Sequence, residues 1–340
     1  MNRGLLIFLM LFCKLNSHAQ TCIGDFNFTT QVEVDQFLMD NPTCTVIDGD
    51  LTITVGMLLN PDPIVNLDAF QNITQVTGSL ELYDDRFPSV DYISLTGLSN
   101  LQSAGSLEIY SGEALNDLTG LNNVTTLGSL YVDAYSLNSI SALDAISSVN
   151  NITLNLSSGT NLPLPSFTNV LPNVQTVSES ITIGSWNQSY SYCDVFSGFD
   201  ALTSVSSLNI GIDAVHINYF DAFHHLESIG YFYSNIFECD AISAFENVQT
   251  IGDIDVAFYC ECDWPDFESV TTANNISLYG DFWSGPDFNS LIEVNNIQFW
   301  GTSTRMGFIN LETINGVLEI TQWQSPVLEI IDAKRIAIHR

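Results

Sequence analysis

Residues Leu118–Val132 read LTGLNNVTTLGSLYV, and their last five, GSLYV from Gly128, have close copies upstream. GSLEL runs from Gly78 to Leu82, and GSLEI from Gly105 to Ile109. Apolar and polar residues alternate in each copy, the period-2 pattern of a strand with one buried face. A strand instruction that returns at a near-constant interval points to one structural unit stacked on copies of itself.

Taking the first apolar residue after each Gly-Ser-like pair as an anchor extends the series along the chain. Anchors fall at Leu51, Leu80, Leu107, Leu130, Ile152, Ile181, Leu208, Phe232, Ile254, Ile276, Ile297 and Leu318, 21 to 29 residues apart. A second apolar residue follows two positions after each anchor, and only Ser234 breaks that row. Further aliphatics precede the anchors, among them Leu101, Val124 and Leu202, and closer in Val76, Leu127 and Val205. Such intervals suit one coil of a solenoid, with neighbouring anchors side by side in a parallel sheet about 4.8 Å apart. Turn residues such as those in Leu115–Gly120 supply the corners. The expectation is an all-β, right-handed parallel β-solenoid of about twelve coils over residues 51–340. A short helical cap over residues 20–50 precedes it. The final stretch Val327–Ile338 either seals the last coil's edge or is where a longer parent protein breaks off.

The phrase from Leu118 to Val132 resembles the repeat of receptor L-domain-type leucine-rich proteins, whose bacterial secreted and surface members use an L-x-G-L-x-N-L-x-x-x-G-S-L-x-I grammar. The likeness covers roughly residues 44–321, strongest from Leu95 to Val132. It implies a right-handed solenoid and a surface recognition or adhesion role. The chain departs from ordinary leucine-rich repeats in having no regular Asn ladder after the strand.

Residues 1–19 read as a secretory signal peptide. Arg3 is followed by the apolar run Leu5–Phe12, and Ser17 and Ala19 set a cut before Gln20. No later stretch reaches the roughly 18 apolar residues that a membrane-spanning helix needs. An extracellular or cell-surface protein folds in an oxidising compartment, so its six remaining cysteines are expected in disulfides. Cys22 and Cys44 flank the helix-like stretch Val32–Met39 and would staple it. Cys193, Cys239, Cys260 and Cys262 form a second group whose pairing stays open, with Cys260 and Cys262 one rung from Cys239. The full chain carries 7 Lys+Arg against 39 Asp+Glu, a net charge of −32, and has no Lys or Arg between Arg86 and Arg305. Such a surface repels nucleic acid and anionic lipid.

Catalytic patterns are sparse. His224 and His225 are adjacent, so on a strand they point apart and chelate poorly. Neither G-x-S-x-G nor a phosphate-binding Gly-rich loop occurs. Cys260-Glu261-Cys262 has thiolate spacing that suits zinc, but secretion favours disulfides. Uronate lyases on solenoids need a basic group, and Arg86 and Arg305 stand roughly 43 Å apart at 4.8 Å per coil. A glycoside hydrolase needs only two carboxylates about 5 to 9.5 Å apart, and acids are abundant.

The outward strand positions are the most suggestive. One residue past each anchor come Glu81, Glu108 and Tyr131, and three past it come Tyr83, Tyr110 and Asp133. A second aromatic pair, Tyr279 and Trp300, lies further on, with Phe282 and Trp283 beyond Tyr279. Flat rings beside carboxylates suit the apolar face and hydroxyls of a sugar, or a peptide. Exposed strands also favour Tyr and Thr with no ligand at all. Stacked Glu81 and Glu108 repel unless protonated or bridged, and Ca²⁺ is the one ion that such oxygens invite; the acidic turn Asp263–Glu268 is a second place for it. No cofactor is otherwise called for. The sequence thus reads as a secreted, non-enzymatic recognition or adhesion module for a glycan or extracellular protein. A carboxylate-pair hydrolase and a purely structural spacer are the competing readings.

Overall fold

A computed structural model describes residues 20–55, 60–84, 92–112, 114–133, 137, 139–155, 166–184, 191–258, 267–282, 286–303, 305–322, 329–330 and 337–338. Alternation in the anchor segments becomes one buried column. Leu51 pairs with Leu80, Leu80 with Leu107, Leu107 with Leu130 and Leu130 with Ile152. The series continues in unbroken order through Ile181, Leu208, Phe232, Ile254, Ile276 and Ile297 to Leu318. Every strand pairing among the described residues is parallel, nineteen strands share one sheet, and the anchors from Leu51 to Ile297 are buried. The protein is therefore an all-β parallel β-solenoid of about ten turns, as the repeat predicts. Ser234 also points inward and is fully buried, and among the described residues its hydroxyl has no hydrogen-bond partner.

Two more columns complete the interior. Val76, Ala104, Leu127, Val149, Val177 and Val205 line up as the second. The third comes from a turn repeated in every coil, in which the N–H of Ile73, Leu101, Val124, Ile146 or Val174 donates to the carbonyl three residues earlier. The same turn returns at Leu202, Leu226, Val248, Val270, Leu291 and Leu311. Its first residue is Phe70 and then Leu98, Leu121, Leu143 and Leu171 in the early coils; from there it is Phe199, Phe223, Phe245, Phe267, Phe288 and Phe308. These rings stack along the axis with centroids 4.8 to 6.0 Å apart. Phe199, Phe223 and Phe245 have φ of 59°, 63° and 68°, a left-handed backbone that is costly for a bulky residue. Burial and ring stacking offset that cost. Gly120 serves the same corner: its φ is +123°, and a Cβ there would come within 2.0 Å of the Leu95 carbonyl oxygen.

Asparagines stitch these corners together. Asn100, Asn123, Asn173, Asn247 and Asn310 each donate from Nδ2 to a carbonyl of the preceding coil, at 2.6 to 2.8 Å. They form an Asn ladder, though not one after the strand. It sits at the turn before the strand, where the middle N of the L-x-N-L phrase places it.

The N-terminal segment is part of the stack. A helix, α1 (Gln31–Asp40), covers the expected 32–39 and begins with a capping box between Thr30 and Glu33. Its Phe37 packs edge-on against Phe28, centroids 5.7 Å apart, and closes over Phe70 at 5.1 Å. Before it, β1 (Gln20–Ile23) pairs with Cys44–Asp48, and β2 (Phe26–Phe28) pairs with Leu51–Ile53. So residues 20–50 form the first rungs with a helix on one side, and the Cys22–Cys44 disulfide ties two neighbouring strands. At the other end, Glu329–Ile330 pairs with Arg305–Met306 and Ala337–Ile338 with Thr313–Ile314, continuing the parallel order. Among the described residues no helix is long and apolar enough to cross a membrane.

Candidate functional site

The ladder proposed at the outward positions exists. Glu81 pairs with Glu108 and Glu108 with Tyr131, while Tyr83 pairs with Tyr110 and Tyr110 with Asp133. Parallel register is what brings them together: residues 21 to 29 apart in sequence become rung neighbours. Tyr83, Tyr110 and Tyr131 form a row of tilted rings, with centroids 5.5 Å and 4.9 Å apart. Tyr83 is 38% exposed, and Tyr110 and Tyr131 are half-buried by their neighbours.

Hydroxyls surround the carboxylates of this row. Thr52 donates to Glu81 Oε2 at 3.1 Å. Tyr110 donates to Glu108 Oε2 at 3.2 Å, and Ser79 and Ser106 each lie 3.4 Å from Oε1. Neutral donors therefore meet the charge that was expected to need a bridging cation. Among the described residues no group of three or more His, Cys, Asp or Glu converges as a metal-ligand set. Burial, then the charge and hydrogen bond of Glu108, push the Tyr110 phenol up to about 12, so it stays a donor across the physiological range. At the far edge Asn155 donates to the Tyr131 hydroxyl at 2.7 Å, which fixes that ring.

The second aromatic pair also forms. Tyr279 and Trp300 stack almost flat, centroids 4.6 Å apart and 9° between planes. Beside them Ser277, Gln298 and Glu319 make a short polar chain, with Ser277 Oγ 3.5 Å from Gln298 Oε1 and Gln298 Nε2 donating to Glu319 at 3.3 Å. The two clusters share one column of the sheet but are separate surfaces, because Asn155 and Gly184 between them are buried. Trp283 lies outside the described residues, as does the side chain of Phe282.

Other sequence expectations land less evenly. Cys193 is buried, and its Sγ–H donates to the Val195 carbonyl at 3.4 Å. Burial pushes that thiol up to about 11. Its strand position lines up with Ile217 and then Cys239, so one whole rung separates the two cysteines. Cys260 and Cys262 lie outside the described residues, with Arg86, residues 1–19 and most of the acidic turn 263–266. His224 is the surprise that adjacency with His225 hid: its Nδ1 lies 2.7 Å from Glu246 Oε1 and its Nε2 3.1 Å from Asp221 Oδ1. The signal was legible only in three dimensions, since Glu246 belongs to the next coil. A further Asn/Asp ladder was also missed, in which Asn274 and Asn275 both donate to Asp253 Oδ1, at 2.7 and 2.6 Å.

The geometry amounts to a parallel β-solenoid with a tyrosine–carboxylate row near one end. No family model, no curated protein and no solved structure matches the chain.

Proposed function

We propose that this chain is an extracellular recognition module that binds a glycan on the row Glu81, Tyr83, Glu108, Tyr110, Tyr131 and Asp133. The observation that carries the reading is the three-ring row itself, flanked by carboxylates already held by hydroxyl donors. Ring faces take up the apolar C–H surface of a sugar, and pre-oriented acceptors take its hydroxyls. Because Thr52, Ser79, Ser106 and Asn155 hold these side chains in place, little ordering cost remains to be met on binding. The chain's acidity favours neutral or cationic glycans over sulfated ones. The leucine-rich, L-domain-like repeat grammar and the signal-peptide pattern of residues 1–19 point to the same extracellular setting, with no catalytic step. Tyr279 and Trp300 would offer a smaller, second platform.

A glycan array probed with the full chain tests this. Saturable binding to a defined glycan is expected, lost in the Tyr83→Ala, Tyr110→Ala double variant with the melting temperature preserved. Release of reducing sugar that Glu108→Gln abolishes would establish a hydrolase instead. Binding confined to a secreted-protein array would replace the glycan with a protein partner, and silence on both arrays would overturn recognition altogether.

A further inference from the structure

Beside the second buried column, the outer face of the sheet is unlike the rest of this acidic molecule. From Ser103 to Thr272, eight successive strands place Ser or Thr at the same outward position, beginning Ser103, Thr126, Ser148 and Thr176. Parallel register aligns them rung on rung. Two residues further along each strand the outward position holds only Gly, Asn or Ser, from Gly105 to Asn274. Neither column contains a charged residue, in a chain with a net charge of −32. Glu179 and Asp253 border the face, and Glu227 lies at its edge. All eight hydroxyl residues are exposed or half-buried.

These hydroxyls are largely unused inside the protein. Thr176 donates to Ser148 at 3.3 Å. Among the described residues Ser103, Thr126, Ser204, Ser228, Thr250 and Thr272 make no hydrogen bond through their side chains. The result is one row of hydroxyls about 4.8 Å apart, beside a column about 7 Å away in which only Ser178 and Ser206 add a hydroxyl.

We propose that this face binds the surface of an ice crystal. A hydroxyl both donates and accepts, so each one can stand in for a lattice water. Charged groups would impose their own hydration shell, and neither column carries one. A regular row is complementary to a regular partner, and a crystal lattice repeats as the rungs do where an irregular protein surface does not. Serine is also depleted at protein interfaces, which argues against a second copy of the chain. Sugars stack on aromatic rings, and the rings lie on the other columns. The inference stands independently of glycan binding.

Slow partitioning of the full chain between growing ice and liquid tests it, with ice recrystallisation as a second readout. The wild type is expected to enter the ice and slow recrystallisation. The Ser204→Lys, Thr250→Lys variant, checked for a retained cooperative melt, is expected to lose both effects. Ser204→Thr and the Tyr83→Ala, Tyr110→Ala pair should keep them. Exclusion of the wild type from ice overturns the proposal. So does unchanged partitioning of the folded Lys variant, or retention on crystalline cellulose through this face in place of ice.

Discussion

At the scale of single residues, the polar groups that matter are those whose partners sit one coil away. His224 shows this most clearly. Burial alone would lower its pKa, and the hydrogen bonds and charges of Glu246 and Asp221 more than reverse that, leaving it raised. A raised pKa in the folded state means that folding favours the protonated ring. Its contribution is then fully present below the unfolded value of about 6.5 and fades as pH rises through the folded value. The melting-temperature gap between wild type and His224→Gln should be widest near about pH 5.5 and close by about pH 8. A gap that widens with pH would mean that the bridge is not ionic. Adjacency with His225 does not hint at this pairing, because Asp221 lies only three residues upstream but Glu246 meets the ring only once two turns are stacked.

At the scale of the element, each strand is a short alternation whose inward residues must be apolar, and one coil departs from that rule. Ser234 occupies the inward place between Ile210 and Val256, with a hydroxyl that has no partner among the described residues. Leaving a buried hydroxyl unsatisfied costs about 1–3 kcal/mol, so Ser234→Ala should stabilise the protein by about 1 kcal/mol. Thermal or denaturant melting reads this directly; destabilisation would show that the hydroxyl does have a role in the fold. The strands themselves were legible in sequence, since alternation is a local record of which side chains leave water. The turns were legible only in part. The closing aliphatic of each turn, such as Leu101, Val124 and Leu202, was visible as a recurrent position, whereas the Phe199 to Phe308 stack and its left-handed backbone were not. Nothing in the spacing of single phenylalanines says that their rings will lie over one another.

At the scale of the whole molecule, stability is a sum over neighbouring coils, set against the repulsion of a strongly acidic surface. Salt screens that repulsion over about 10 Å at 0.1 M. The melting temperature should therefore rise with NaCl between about 0.01 and 0.5 M, faster than for a protein of balanced charge. A flat response would mean that the acids are spaced widely enough, or held well enough by hydroxyl and amide donors, to be neutral in effect. Where the charges are absent is as telling as where they gather, since the Ser/Thr face is free of them across eight strands.

Sequence alone determined which side chains form the interior and that the coils stack in parallel, because burial selects polarity residue by residue and leaves its period in the chain. It also named the residues of the tyrosine–carboxylate row, once the rungs were counted in register. Tertiary structure alone decided how that row is held, why Asn155 and Gly184 part it from Tyr279 and Trp300, and which corner carries the asparagine ladder. Those outcomes depend on contacts between coils 21 to 29 residues apart. No local pattern stores such a contact; it comes into being only when one turn is laid on the next.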